Sequence, residues 1–90
     1  MIVLAVQHRV NDYDHWKKEF DSFPPTVGGA LFARINRSVD DPNLIAVVAG
    51  FETVEAAKAF IESPELKEKM QEAGVAGEPR IEMYEEVASI

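Results

Sequence analysis

The sequence predicts an α+β fold of order β-α-β-β-α-β: one layer of four antiparallel strands carrying helices on a single face. Three observations predict it. Residues at both ends of the chain alternate with period two. Two interior stretches space their apolar residues by three and four behind capping residues. Between those stretches, two apolar runs are joined by the turn Asp40-Asp41-Pro42-Asn43. At 90 residues the chain is read as one domain, residues 1–90, since so short a chain cannot bury a second core.

The first strand runs from Ile2 to Val10. Ile2, Leu4, Val6, His8 and Val10 share one face, and Val3, Ala5, Gln7 and Arg9 the other. Asn11 and Asp12 can cap a first helix, because their side-chain oxygens accept the orphan N–H groups of an opening turn. Tyr13, Trp16, Phe20 and Phe23 then follow as an aromatic stripe, with Asp14, Lys17, Lys18, Glu19 and Asp21 on the wet side. Pro24-Pro25 stops the helix, and Gly28-Gly29 reads as a flexible connection.

The second strand spans Leu31 to Ser38, with Leu31, Ala33 and Ile35 opposite Phe32, Arg34 and Asn36. After the turn, whose residues have turn chemistry, Leu44 to Phe51 is apolar almost throughout, as befits a strand covered on both faces. Thr53 caps the next helix, whose buried side is Ala56, Ala57, Phe60 and Ile61. Ser63-Pro64-Glu65 restarts it with a cap, a proline at the first position and an acid in the positive first turn. Leu66, Met70 and Ala73 extend the apolar stripe to Gly74. The last strand is read from Pro79 to Val87, with Ile81, Met83, Glu85 and Val87 alternating against Arg80, Glu82, Tyr84 and Glu86.

This is the ferredoxin-like order. Helices on one face leave the other face of the sheet to water, a ligand or another chain. The apolar third segment makes water the poorest of these, and a closed two-fold homodimer the simplest symmetric cover.

Composition narrows the function classes. The chain is 47% hydrophobic, 28% charged, and carries a net charge of −7. Residues 52–90 hold ten acids against four bases, whereas residues 1–51 hold six against five. Such a surface repels phosphate and disfavours nucleic acid and anionic membranes as partners. The absence of cysteine rules out disulfide and thiolate chemistry. The opening apolar run has no basic leader and is too short for a signal peptide, and no stretch approaches the roughly 20 apolar residues of a membrane span. A cytoplasmic protein is expected.

Three motifs carry a resemblance. They are His8-Arg9-Val10-Asn11-Asp12-Tyr13-Asp14-His15-Trp16, the Asp40-Asp41-Pro42-Asn43 turn, and Ser63-Pro64-Glu65-Leu66 through Gly74-Val75-Ala76-Gly77-Glu78-Pro79. Together with the length and element order, the chain resembles the dimeric α/β-barrel superfamily, and within it small antibiotic-biosynthesis-monooxygenase-like and cyclase-like bacterial proteins. The resemblance implies a dimeric barrel and a cleft for a small molecule. That superfamily hosts oxygenases, isomerases, haem degraders and binding proteins, so it implies no single reaction. Its haem degraders carry a histidine on the second helix, and residues 53–74 have none. Its cofactor-free oxygenases use asparagine and tryptophan; Trp16 is available here, with Asn36 as a partner.

His8, alone at the end of an aliphatic face, suits general acid/base work, or else bonds a carbonyl at the sheet edge. Arg34, in mid-strand, either grips an anionic or polarised oxygen or pairs with Glu82 or Glu86. Tyr13, Trp16 and Phe20 would wall an aromatic pocket or simply be core. Tyr84 would orient a carbonyl or sit at a dimer interface. His8 and His15, with Asp12 and Asp14 nearby, have no metal-site spacing, so neither metal nor cofactor is expected.

Three readings follow. One is a cofactor-free oxygenase, isomerase or cyclase acting on a small apolar or aromatic compound, with His8 and Arg34 converging on a cleft shaped by Trp16 and Tyr84. The second is a non-catalytic binding protein using the same cleft, and the third a solid structural homodimer.

Overall fold

The structure, a computed structural model, describes residues 1–90. Strand β1 (Ile2–Val10) leads into helix α1 (Tyr13–Ser22) and a 3₁₀ turn (Pro25–Gly28). Strands β2 (Phe32–Arg37) and β3 (Leu44–Phe51) follow, then helices α2 (Val54–Ile61) and α3 (Pro64–Glu72), then strand β4 (Val75–Glu85). The strands form one antiparallel sheet in the order β2-β3-β1-β4. This is the ferredoxin-like topology.

The two most apolar strands, β1 and β3, occupy the centre of the sheet, and the more polar β2 and β4 form its edges. Leu4, Val6, His8 and Val10 are buried beneath the helices. The β3 residues Ala49, Val47 and Ile45, which pair with Leu4, Val6 and His8, are buried beside them. Phe51, Leu4 and Ile45 are the largest fully buried side chains. Each helix starts where a side-chain oxygen meets an orphan N–H: Asp12 accepts from His15 at 3.2 Å, Thr53 from Ala56 at 3.1 Å, and Ser63 from Leu66 at 3.5 Å.

Three local readings are corrected. The Gly28-Gly29 connection is not loose. Pro25–Gly28 forms the 3₁₀ turn, Pro25 is buried, and a Cβ on Gly28 would stand 2.5 Å from the Phe60 ring. The second strand is one residue shorter at each end than expected, because Leu31 and Ser38 keep backbone bonds to β3 while leaving strand geometry.

The last strand begins at Val75, not Pro79, since Val75 and Ala76 already pair with Val10 and Arg9. Between Ala76 and Arg80 the ladder is interrupted, and Gly77, Glu78 and Pro79 together oppose the single residue His8. Gly77 turns the chain there at φ +74°, a conformation that favours glycine.

Candidate functional site

His8 sits where β1 faces that bulge. Its side chain points under the helices and only 5% of the residue's surface is exposed. The indole of Trp16, reaching down from α1 and itself buried, meets the imidazole edge-to-face at 5.6 Å between ring centres and 63° between planes. Phe20, one turn further along α1, lies 5.0 Å from Trp16. The i, i+3, i+4 stripe read in the sequence is what stacks these rings above the sheet.

Between this stripe and helices α2 and α3 lies a pocket of about 60 Å³. Its floor is Val6, His8 and Val47. Trp16, Phe20 and Phe23 form one wall, and Phe60, Leu66 and Met70 the other. Glu19 and Lys69 are the charged residues on its lining, one from α1 and one from α3. His8 is thus the one polar group on an apolar floor.

His8 Nδ1 is fully buried and has no hydrogen-bond partner, the only side-chain nitrogen or oxygen in the chain in that condition. Burial pushes the imidazole pKa below its usual 6.5, and the neighbouring backbone at Arg9 and His8 offsets part of that effect. The ring is therefore neutral at physiological pH, with one nitrogen free to accept a proton and the other to donate one. Of the alternative reading, an imidazole bonded to a carbonyl at the sheet edge, the edge is not found: β1 is central, Nδ1 has no partner, and the backbone at Arg9 and His8 is what favours the charged ring.

The expected convergence of His8 and Arg34 is not found within the chain. Arg34 pairs across the ladder with Val48, while His8 pairs with Ile45, and the parity of these positions puts the two side chains on opposite faces of the sheet. Arg34 instead stacks its guanidinium 4.2 Å above the ring of Phe32. Neither Glu82 nor Glu86 pairs with it, because β2 and β4 are opposite edges of the sheet; Glu82 faces Arg80 at 3.6 Å.

Asn36 shares the Arg34 face, and its amide donates to the Ala46 carbonyl at 3.3 Å. Tyr84, opposite Val3, also lies on that face and is 54% exposed. Tyr13 belongs to the stripe but not to the pocket; Arg37 covers its ring at 4.3 Å. Of the residues singled out from sequence, His8, Trp16 and Phe20 come together at the pocket, Tyr13 packs on Trp16 at 6.0 Å between ring centres without lining it, and Arg34, Asn36 and Tyr84 do not join them.

The second wall of the pocket escapes sequence reasoning. Leu66, Met70 and Ala73 are the apolar stripe the spacing predicts, but a stripe marks an inward face and does not tell a packed face from a pocket wall. No three His, Cys, Asp or Glu side chains gather closely enough to hold a metal ion. No helix is long and apolar enough to cross a membrane.

No family model matches the chain, and no curated protein matches it in sequence. Solved structures do match over nearly the whole chain. SnoaB, a cofactor-independent oxygenase from Streptomyces nogalater, superposes with a TM-score of 0.78 at 10% identity, over 99% of this chain and 95% of its own. A Caulobacter crescentus protein described as an antibiotic biosynthesis monooxygenase gives 0.78 at 20% identity, over 97% and 90%. One from Bordetella bronchiseptica gives 0.76 at 18%, over 97% of each chain. At these identities the likeness is one of architecture. The chain has the ferredoxin-like fold of the antibiotic biosynthesis monooxygenase proteins, which is the fold its sequence motifs resemble.

Proposed function

We propose that this chain is a single domain, residues 1–90, that binds a small apolar or aromatic compound in the pocket over His8. The observation that carries the reading is the unpartnered, buried Nδ1 of His8 on a floor otherwise made of carbon. A buried polar atom without a partner costs about 1–3 kcal/mol, and a ligand hydroxyl or carbonyl held beside the imidazole makes use of a polar group the protein leaves idle. Trp16 and Phe20 supply ring faces for stacking, worth about 0.5–1.5 kcal/mol per aromatic pair beyond the area buried.

In the catalytic form of the reading, neutral His8 accepts the proton of an acidic hydroxyl, giving an electron-rich anion over an apolar floor. That step opens oxygenase, isomerase or cyclase chemistry on the organic molecule itself, without a cofactor. SnoaB, with this fold, is an oxygenase that is cofactor-independent, which supports that form.

Arg34, Asn36 and Tyr84 are assigned to a second surface. Val3 and Ala5 of β1 and Ala46 and Val48 of β3 make an apolar centre on the open face of the sheet, with Phe32 and those three residues around it. An apolar centre with a polar rim is the anatomy of a protein interface, and a second copy of the chain fits it. A cytoplasmic location accords with the absence of cysteine.

The test uses 1-naphthol, an aromatic bearing one hydroxyl, and the fluorescence of Trp16, the only tryptophan. Saturable quenching by wild type, weakened at least tenfold by His8→Ala, is expected. No saturable change in a folded protein would sink the binding reading. Oxygen uptake with hydroxyarenes then separates the two forms. Uptake that His8→Ala abolishes, with residual binding at higher ligand concentration, marks an oxygenase; binding without uptake, and with the hydroxyarene recovered unchanged, marks a binding protein.

A further inference from the structure

The pocket over His8 is too small for the ligand it is shaped to take. At about 60 Å³ it falls well short of the roughly 150 Å³ of a dry apolar cavity that admits one benzene ring. The pocket is half open to solvent, so a ring enters it either by protruding or by displacing a wall, and the two walls are not equally free to move. On the far side of α3, between that helix and β4, lies an open groove of about 820 Å³. Ile61, Leu66 and Met70 line the pocket and the groove alike. Helix α3 thus stands as a partition with empty space on both sides.

Its attachments suit a partition that moves. Leu66 is the only residue buried within its nine. At one end the chain breaks at Ser63-Pro64, where α2 has just finished and proline cannot continue its hydrogen bonds. At the other, Gly74 reverses the backbone at φ +78°. A single side-chain hydrogen bond holds the helix toward α1: the His15 ring nitrogen Nε2 lies 2.9 Å from the Glu72 carbonyl, in the last turn of α3.

We propose that α3 is the gate of the site: it swings as a unit between Ser63 and Gly74 into the groove over β4, widening the pocket over His8 enough to admit an aromatic compound the size of naphthol, and the His15–Glu72 contact holds it in the narrow position. This rests on the ligand-binding reading of the pocket for its purpose. The motion itself follows from the two cavities and the hinges.

Two experiments separate the motion from the ligand. Distances between spin labels at Lys18→Cys on α1 and Glu68→Cys on α3, in a chain with no cysteine of its own, need no ligand. A distribution broader than that of an α1–α2 pair at Lys18→Cys and Lys58→Cys is expected; equally narrow distributions for the two pairs overturn the gate, whatever binds. Stopped-flow quenching of Trp16 by 1-naphthol then reads the opening.

His15→Ala removes the latch and should speed association about fivefold, the factor one net hydrogen bond commands. Ile81→Tyr, at a half-exposed position on the groove wall, places a ring in the path of the helix and should slow association by a similar factor. Both variants associating at the wild-type rate while binding is intact would overturn the gate and leave the binding reading standing. If 1-naphthol does not bind wild type, the binding reading falls, and the label distances alone decide whether α3 moves.

Discussion

The two faces of the sheet are built from the same four strands, yet they solve opposite problems. The helix-covered face is filled with Leu4, Phe51, Ile45 and their neighbours, and it keeps one polar side chain, His8, under a small pocket. The open face keeps its apolar residues small, with Val3, Ala5, Ala46, Val48 and Gly50 at the centre. There Gly50 is required: a Cβ would stand 2.3 Å from the Phe32 ring, so glycine lets that ring lie down on the sheet, with Arg34 stacked on top. A face that packs a chain's own helices needs bulk. A face that meets another molecule needs flatness and a rim of side chains that remain content in water.

The sharpest way to break this contrast is to truncate each face. Phe51→Ala, at a fully buried position, should cost about 3–5 kcal/mol in urea unfolding. Val48→Ala, a smaller truncation on the open face, should cost far less under conditions where the chain is monomeric. Comparable losses would mean that the open face also belongs to the fold of the single chain.

Next comes assembly. Val48→Asp puts a carboxylate at the apolar centre of the proposed dimer surface and should weaken self-association by about 3 kcal/mol, more than a hundredfold. Sedimentation at several concentrations reads it. A variant still dimeric at the wild-type concentration dependence moves the interface elsewhere, and a wild type that stays monomeric removes it.

The pH dependence of stability sharpens the role of His8. Its folded pKa lies below the unfolded value of about 6.5, so the unfolded chain binds the extra proton first. Stability should be full above pH 6.5 and fall as the pH drops from there toward the folded pKa. In His8→Gln that part of the slope should vanish, as read from unfolding midpoints across about pH 5 to 8. An unchanged slope would mean His8 is not the group responsible.

The smallest effects test whether α2 and α3 differ. Thr53→Ala should cost about 1 kcal/mol. Ser63→Ala, whose cap bond is longer at 3.5 Å, should sit at the low end, about 0.5 kcal/mol. Equal losses would argue that α3 is as firmly built into the fold as α2.

Much of the fold is legible in the sequence because its signals are local. Period-two alternation puts His8 on the same face as Leu4 and Val6, and Asp12, Thr53 and Ser63 mark three helix starts. Arg34 shows where legibility ends. Alternation says which residues share a face within one strand, but not which face of β2 lies beside which face of β1. That depends on the β3 register between them. Glu82 suggests itself as a partner for Arg34 because both lie on strands, whereas topology sets those strands at opposite edges. The start of β4 is hidden for a different reason. Pro79 reads as a boundary because it has no N–H, but in the sheet it sits inside a bulge, where no N–H is asked for.

That bulge bears on how the chain can change length over time. Ala76 pairs with Arg9 and Arg80 with Gln7, so β4 carries two residues more than an unbroken ladder would need. Because the surplus is even, Ile81 and Met83 still fall on the same side as Val75. Loss of one residue at Gly77–Pro79 would send Ile81 and Met83 outward and turn Glu82 and Tyr84 against the core; loss of two would leave the alternation untouched. Descendants of this gene that vary here should therefore gain or shed codons in pairs, and a library of insertions at this loop should show survivors at every second length.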